Sequence, residues 1–180
     1  APPAQGAASG APPSAAAVPG KVVTITTDLF RVEVDPAGGV IQEVALLKQR
    51  DTADEAKPYL ALLRTPERTN IAQSGLLGEG MPNHRTRYEA LPGPRELAAG
   101  ADSLQLVLEA TAQNGDKVRQ ILTFHRGSYV IDVTYEITNA STVPIAPYAY
   151  FQFVRDTKTP GTQSSMAPVS YAGPVIYNQA

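Results

Sequence analysis

Apolar and polar positions alternate with a period of two along most of this chain. The clearest run lies between Gly127 and Asn139. There Tyr129, Ile131, Val133, Tyr135 and Ile137 occupy every second position, with Ser128, Asp132, Thr134, Glu136 and Thr138 between them. A strand sends successive side chains to opposite faces, so this spacing predicts one long strand, dry on one side and wet on the other. Tyr129, Ile131, Val133 and Tyr135 are thereby expected to face the interior. Gly127 turns the chain into the run, and Asn139-Ala140-Ser141 breaks it.

The same period recurs on either side. Lys21 to Thr27 and Leu29 to Asp35 are β-branched and alternating, and Pro36-Ala37-Gly38-Gly39 forms a turn whose glycines permit positive φ. Val40 to Leu47 then reads as the returning arm of a hairpin. Ser103 to Thr111 puts Leu104, Leu106, Leu108 and Ala110 on one face. The Asn114-Gly115 step signals a hairpin, and Lys117 to His125 is its return strand. Tyr148 to Arg155 is the last clear strand, with one more expected near Val175 to Tyr177. From Lys48 to Arg95 prolines and glycines interrupt the pattern. Tyr59 to Leu63 is the one apolar piece there, although short strands are expected within so long a connection. No helical pattern competes. Short strands spaced by turns predict an all-β sandwich of mostly antiparallel strands with few or no helices.

Composition divides the chain further. Residues 1–20 hold eight Ala, five Pro, three Gly and two Ser with no charge. Such a segment buries too little surface to offset the entropy of ordering it, so it reads as a flexible tether. Residues 21–180 read as one sandwich domain. Its end at Gln179-Ala180 would leave a sheet edge unpaired, so the natural domain is expected to be truncated here and to run on. Seventeen acidic against fifteen basic residues leave no clustered cationic surface, which argues against nucleic acid as a partner. The absence of cysteine excludes disulfides and thiol nucleophiles. No apolar run is long enough to span a bilayer as a helix, and the first residues lack the features of a signal peptide, so the chain reads as an excised piece.

Chemistry-bearing patterns are sparse. His84 and His125 have no carboxylate or second imidazole at metal-ligand spacing and read as bystanders. Asp132 and Glu136 share a strand face about 13 Å apart by strand rise, too far for a glycosidase carboxylate pair. Gln73-Ser74-Gly75-Leu76 lacks the glycines of a nucleophile elbow, and Gly75 to Gly80 lacks the Lys-Ser/Thr of a phosphate loop. The reading therefore assigns no catalytic residue, no metal and no cofactor. Tyr148, Tyr150, Phe151 and Phe153 concentrate aromatics on one strand. They read either as core on both faces or, for Tyr148 and Tyr150 on a shared face, as the wall of a groove for an extended peptide or sugar.

Three blocks carry a family resemblance: Val23 to Asp28 through Pro36 to Ile41, then Ile71 to Leu76, then Leu122 to Tyr129 through Asn139. In order and spacing they resemble the first large periplasmic domain of the bacterial YidC membrane protein insertases. The resemblance implies a β-supersandwich similar to that of galactose mutarotases, on the periplasmic side of the inner membrane. It implies a leader that tethers the domain to membrane spans absent from this chain. It implies Sec translocon subunits and nascent membrane proteins as partners, and a supporting role in insertion and folding with no catalysis. The family's insertase groove and its arginine belong to the membrane-embedded part, and no position here matches them. The alternative is a carbohydrate-binding or sugar-epimerase-like domain, which rests on fold analogy. It would need a histidine and a carboxylate converging on the anomeric oxygen. A chaperone that captures peptides by groove or strand addition is a third reading.

Overall fold

The computed structural model describes residues 21–52 and 54–157, so the leader and the strand expected near Val175 lie outside the described residues. The elements in chain order are β1 (Val23–Thr26), β2 (Phe30–Asp35), β3 (Val40–Arg50), β4 (Pro58–Arg64), β5 (Thr69–Leu77), β6 (Glu89–Ala90), β7 (Ser103–Thr111), β8 (Lys117–His125), β9 (Ile131–Thr138) and β10 (Tyr148–Arg155). Among the described residues there is no helix. Two antiparallel sheets form, one in the order β1-β2-β3-β4-β5-β10 and the other β6-β7-β8-β9. The all-β sandwich expected from the alternation is therefore what the chain adopts.

The core is the sum of the inward positions of both sheets. Phe30, Val32 and Val34 of β2 meet Leu104, Leu106 and Leu108 of β7 and Leu122 and Phe124 of β8, all buried. Phe30 and Phe124 pack across the interface with ring centroids 6.2 Å apart. Burying each such side chain stabilises the fold by about 1.5–3 kcal/mol over leaving it in water. A bulge between Glu33 and Val34 shifts the β2–β3 register, so that Val32 opposes Val44 while Val34 opposes Ile41. The one-residue slip lets both Ile41 and Val44 reach the core, although they stand an odd three positions apart.

Two expectations need correction. The long strand begins at Ile131, where pairing with β8 starts, and not near Ser128. Gly127 takes φ +69°, Arg126 N–H bonds the Asp102 carbonyl at 2.8 Å, and Gly127 N–H bonds Asp28 Oδ2 at 3.0 Å. These bonds hold the chain out as a loop. Tyr129 consequently stands 47% exposed, its ring stacked on Phe30 at 6.0 Å, while Ile131, Val133 and Tyr135 do turn inward, half-buried. The second correction is β5, a nine-residue strand in the stretch read as irregular. It pairs with β3, β4 and β10, so both its edges are filled and its burial follows no alternation.

The sheets differ in width, and this positions everything that follows. The four-stranded sheet covers the wider one from β1 as far as β5, whose Ser74 reaches β8 and β9. β10 lies beyond it. Phe151 and Phe153 pair with Ser74 and Ala72, whose side chains face the second sheet. Cross-strand partners share a face, so these two phenylalanines point inward yet overhang, 62% and 79% exposed.

Candidate functional site

The family-like blocks converge on a polar seam between the sheets. It begins at the β2–β3 turn, where Gly38 and Gly39 take φ of +95° and +60°. A Cβ on Gly39 would stand 1.9 Å from Gln120 Oε1, and one on Gly38 would stand 2.2 Å from the His84 carbonyl oxygen. Only glycine satisfies both the positive φ and the close approach. Gly38 N–H bonds the Thr86 carbonyl and Tyr88 N–H bonds the Pro36 carbonyl, each at 2.9 Å, which stitches the segment from Asn83 to Tyr88 onto the turn.

Inside the sandwich, Gln120 of β8 donates through Nε2 to Ser74 Oγ at 2.9 Å and to the Gly39 carbonyl at 3.4 Å. Ser74 Oγ is in turn 2.8 Å from Tyr135 Oη of β9. One amide and two hydroxyls thus link the β2–β3 turn, β5, β8 and β9. Burial pushes the Tyr135 phenol up to about 12, against the Ser74 hydrogen bond, which lowers it. The Tyr88 phenol is also raised, first by burial and then by the neighbouring Tyr135 and Tyr150. Tyr88 Oη and Gln120 Oε1 are buried with no partner among the described residues.

On the outer face of β5, Tyr150 lies opposite Gly75 in register and bends across it. A Cβ on Gly75 would come within 2.7 Å of both Tyr150 Oη and Asn83 Cα, so the glycine makes room for the ring and for the loop above it. Tyr150 Oη accepts the His84 backbone N–H at 3.2 Å and is hydrogen-bonded to His84 Nδ1, with the rings edge-on at 5.8 Å. Burial, then the Arg85 charge, lowers the His84 pKa, which favours the neutral imidazole. A surface pocket of about 300 Å³ opens here between Leu77, His84, Arg85, Tyr150 and Gln152.

The structure separates residues that their spacing joined. Tyr148 and Tyr150 share the outer face of β10, but Tyr150 is half-buried and bonded, whereas Tyr148 is 74% exposed beside Leu77, its cross-strand partner. The core reading fails for Phe151 and Phe153, which no second-sheet strand covers among the described residues. His84 anchors Tyr150 through its backbone N–H and Nδ1. His125 does have a carboxylate: its Nε2 is 2.8 Å from Asp132 Oδ2, reached across the β8–β9 pairing and so invisible to spacing along one strand. Gln120 was missed, although a signal existed. It stands at an inward position of the run Val118, Gln120, Leu122, Phe124, where a polar residue demands a partner.

Chemically, the seam clamps. Ser74 is 6% exposed and bonded to an amide and a phenol, with no base on its hydroxyl to make it a nucleophile. Among the described residues no three His, Asp or Glu side chains gather to hold a metal.

Comparison with known proteins gives the family. The family model described as the YidC periplasmic domain matches residues 22–180. The membrane protein insertase YidC of Nitrosospira multiformis is 46% identical over 160 residues, which cover 89% of this chain and 28% of that protein. The proteins of the same name from Janthinobacterium sp. (strain Marseille) and Herminiimonas arsenicoxydans are 40% and 38% identical, covering 96% and 95% of this chain and 30% of each relative. The chain thus spans under a third of the length of these relatives.

Proposed function

This chain belongs to the family of YidC periplasmic domains, and from that premise we propose that it works by contact, without turnover, as the periplasmic part of an inner-membrane protein insertase. Membrane spans outside this chain anchor it. It supports insertion and folding of inner-membrane proteins, with or without the Sec translocon, by holding translocon subunits or emerging apolar segments. The observation that carries this reading is the overhang of β10, where Tyr148, Phe151 and Phe153 present aromatic surface on both faces of a strand whose outer edge is open among the described residues. Exposed apolar area of this kind marks interaction surfaces.

A photo-reactive residue in place of Phe153 or Tyr148, in the full-length insertase, tests it. Cross-links to a stalled nascent membrane protein or to a translocon subunit are expected, and the same probe at Thr134 on the wet face of β9 should give none. Equal labelling from both positions would defeat the contact reading. The sugar-epimerase alternative has less support. The pocket at His84 is bounded by no carboxylate and His84 Nδ1 is already engaged by Tyr150, while the His125–Asp132 pair stands exposed on the strand surface.

A further inference from the structure

At the opposite edge of the same sheet, a cleft of about 880 Å³ opens between β1 and the stretch from Arg87 to Arg95. Among the described residues its geometry is that of a strand position left vacant. Thr26 donates its N–H to the Arg95 carbonyl and accepts the Leu97 N–H, both at 2.9 Å, so Glu96 runs beside it as a parallel bridge. Backbone groups along an antiparallel edge strand point alternately toward and away from the neighbour. Those of Thr26 point away from β2. Those of Thr24 therefore do so as well, while Val23 and Ile25 face Val34 and Val32. Among the described residues nothing bonds the Thr24 backbone. The segment that covers Thr26 does not continue along β1, because upstream of Arg95 the chain belongs to the other sheet, where Glu89 and Ala90 pair with Glu109 and Leu108.

The walls carry unbalanced charge. Lys21, Arg87 and Arg95 line the cleft, and none forms an ion pair among the described residues. Of the two acids there, Glu109 is already held by Arg119 at 2.8 Å, which leaves Glu89. Arg95 is fixed in place, because its Nη2 donates to the Leu91 carbonyl at 2.7 Å.

We propose that this cleft binds an extended acidic polypeptide segment as an added strand on β1. The guest backbone pairs with the outward N–H and C=O of Thr24, and its carboxylates lie against Lys21, Arg87 and Arg95. Backbone pairing supplies affinity, and the cations select the sequence. This site stands apart from the contact surface on β10 and does not rest on it.

The test uses the 180-residue chain and two synthetic peptides, one alternating Val and Glu, the other Val and Lys, followed by calorimetry and backbone amide shifts. The Glu peptide is expected to bind at least tenfold more tightly than the Lys peptide and to lose about tenfold when salt screens the cations. Shifts should centre on Thr24. Thr24→Pro removes the outward N–H and sets the proline ring in its place, a change an edge strand tolerates, and should weaken binding by at least about fivefold. Arg87→Glu, at an exposed position, should weaken it by about tenfold without touching the fold. Three results would each overturn the proposal: no binding of the Glu peptide, equal binding of both peptides, or wild-type affinity in folded Thr24→Pro.

Discussion

β8 and β10 are two apolar strands with opposite fates. β8 carries Val118, Gln120, Leu122 and Phe124 on its inner face, each 1% exposed or less. β10 carries four aromatics in six residues and leaves Tyr148, Phe151 and Phe153 more than 60% exposed. Hydrophobicity does not separate them, since β10 is the more aromatic. The difference lies in what stands opposite. β8 faces β2 and β5 across a filled interior, whereas among the described residues β10 extends past the last strand of the narrower sheet. A strand's own residues make burial favourable; a second layer makes it happen.

The strongest way to break this comparison is a matched truncation. Phe124→Ala should destabilise the fold by about 3–5 kcal/mol, because a buried ring is replaced by a cavity. Phe153→Ala should stay within about 0.5 kcal/mol, as for an exposed residue. Denaturant midpoints measure both, and equal losses would show that β10 is packed after all.

Gly39→Ala comes next and sharpens the account of the sealed side. Its positive φ and the 1.9 Å approach to Gln120 Oε1 should together cost about 1–3 kcal/mol. Adding Gln120→Ala should return the steric part and leave the backbone part. If the double variant is no better than the sum of the single ones, the turn does not press on β8.

The smallest effect is one of pH. The folded Tyr135 phenol lies near 12, above the ordinary 10, so the fold favours its neutral form. That contribution is complete below pH 10 and drains away as pH rises toward about 12, because the unfolded chain then releases the proton first. Alkaline titration of the melting temperature should show the decline, and Tyr135→Phe should reduce it, leaving the part due to the buried Tyr88. An unaltered slope in Tyr135→Phe would place the titration elsewhere.

Much of this molecule is decided by its sequence alone. Period-two alternation is a local steric fact, and it marks β7 and β8 to the residue and β10 likewise. The glycines at 38 and 39 announce a turn, because no other residue adopts those angles cheaply. The family is legible as well, since its blocks are contiguous. Tertiary structure decided the rest. β5 gives no periodic signal, because neighbours fill both its edges and its Ser74 and Gly75 matter for what they admit, Gln120 and Tyr135 on one face and Tyr150 on the other. His125 finds Asp132, and Tyr150 finds His84, through register between strands rather than along one. The exposure of Phe151 and Phe153 and, among the described residues, the unpaired backbone of Thr24 depend on the relative width and offset of two sheets. No local pattern encodes such an offset, because it is the outcome of packing whole layers together.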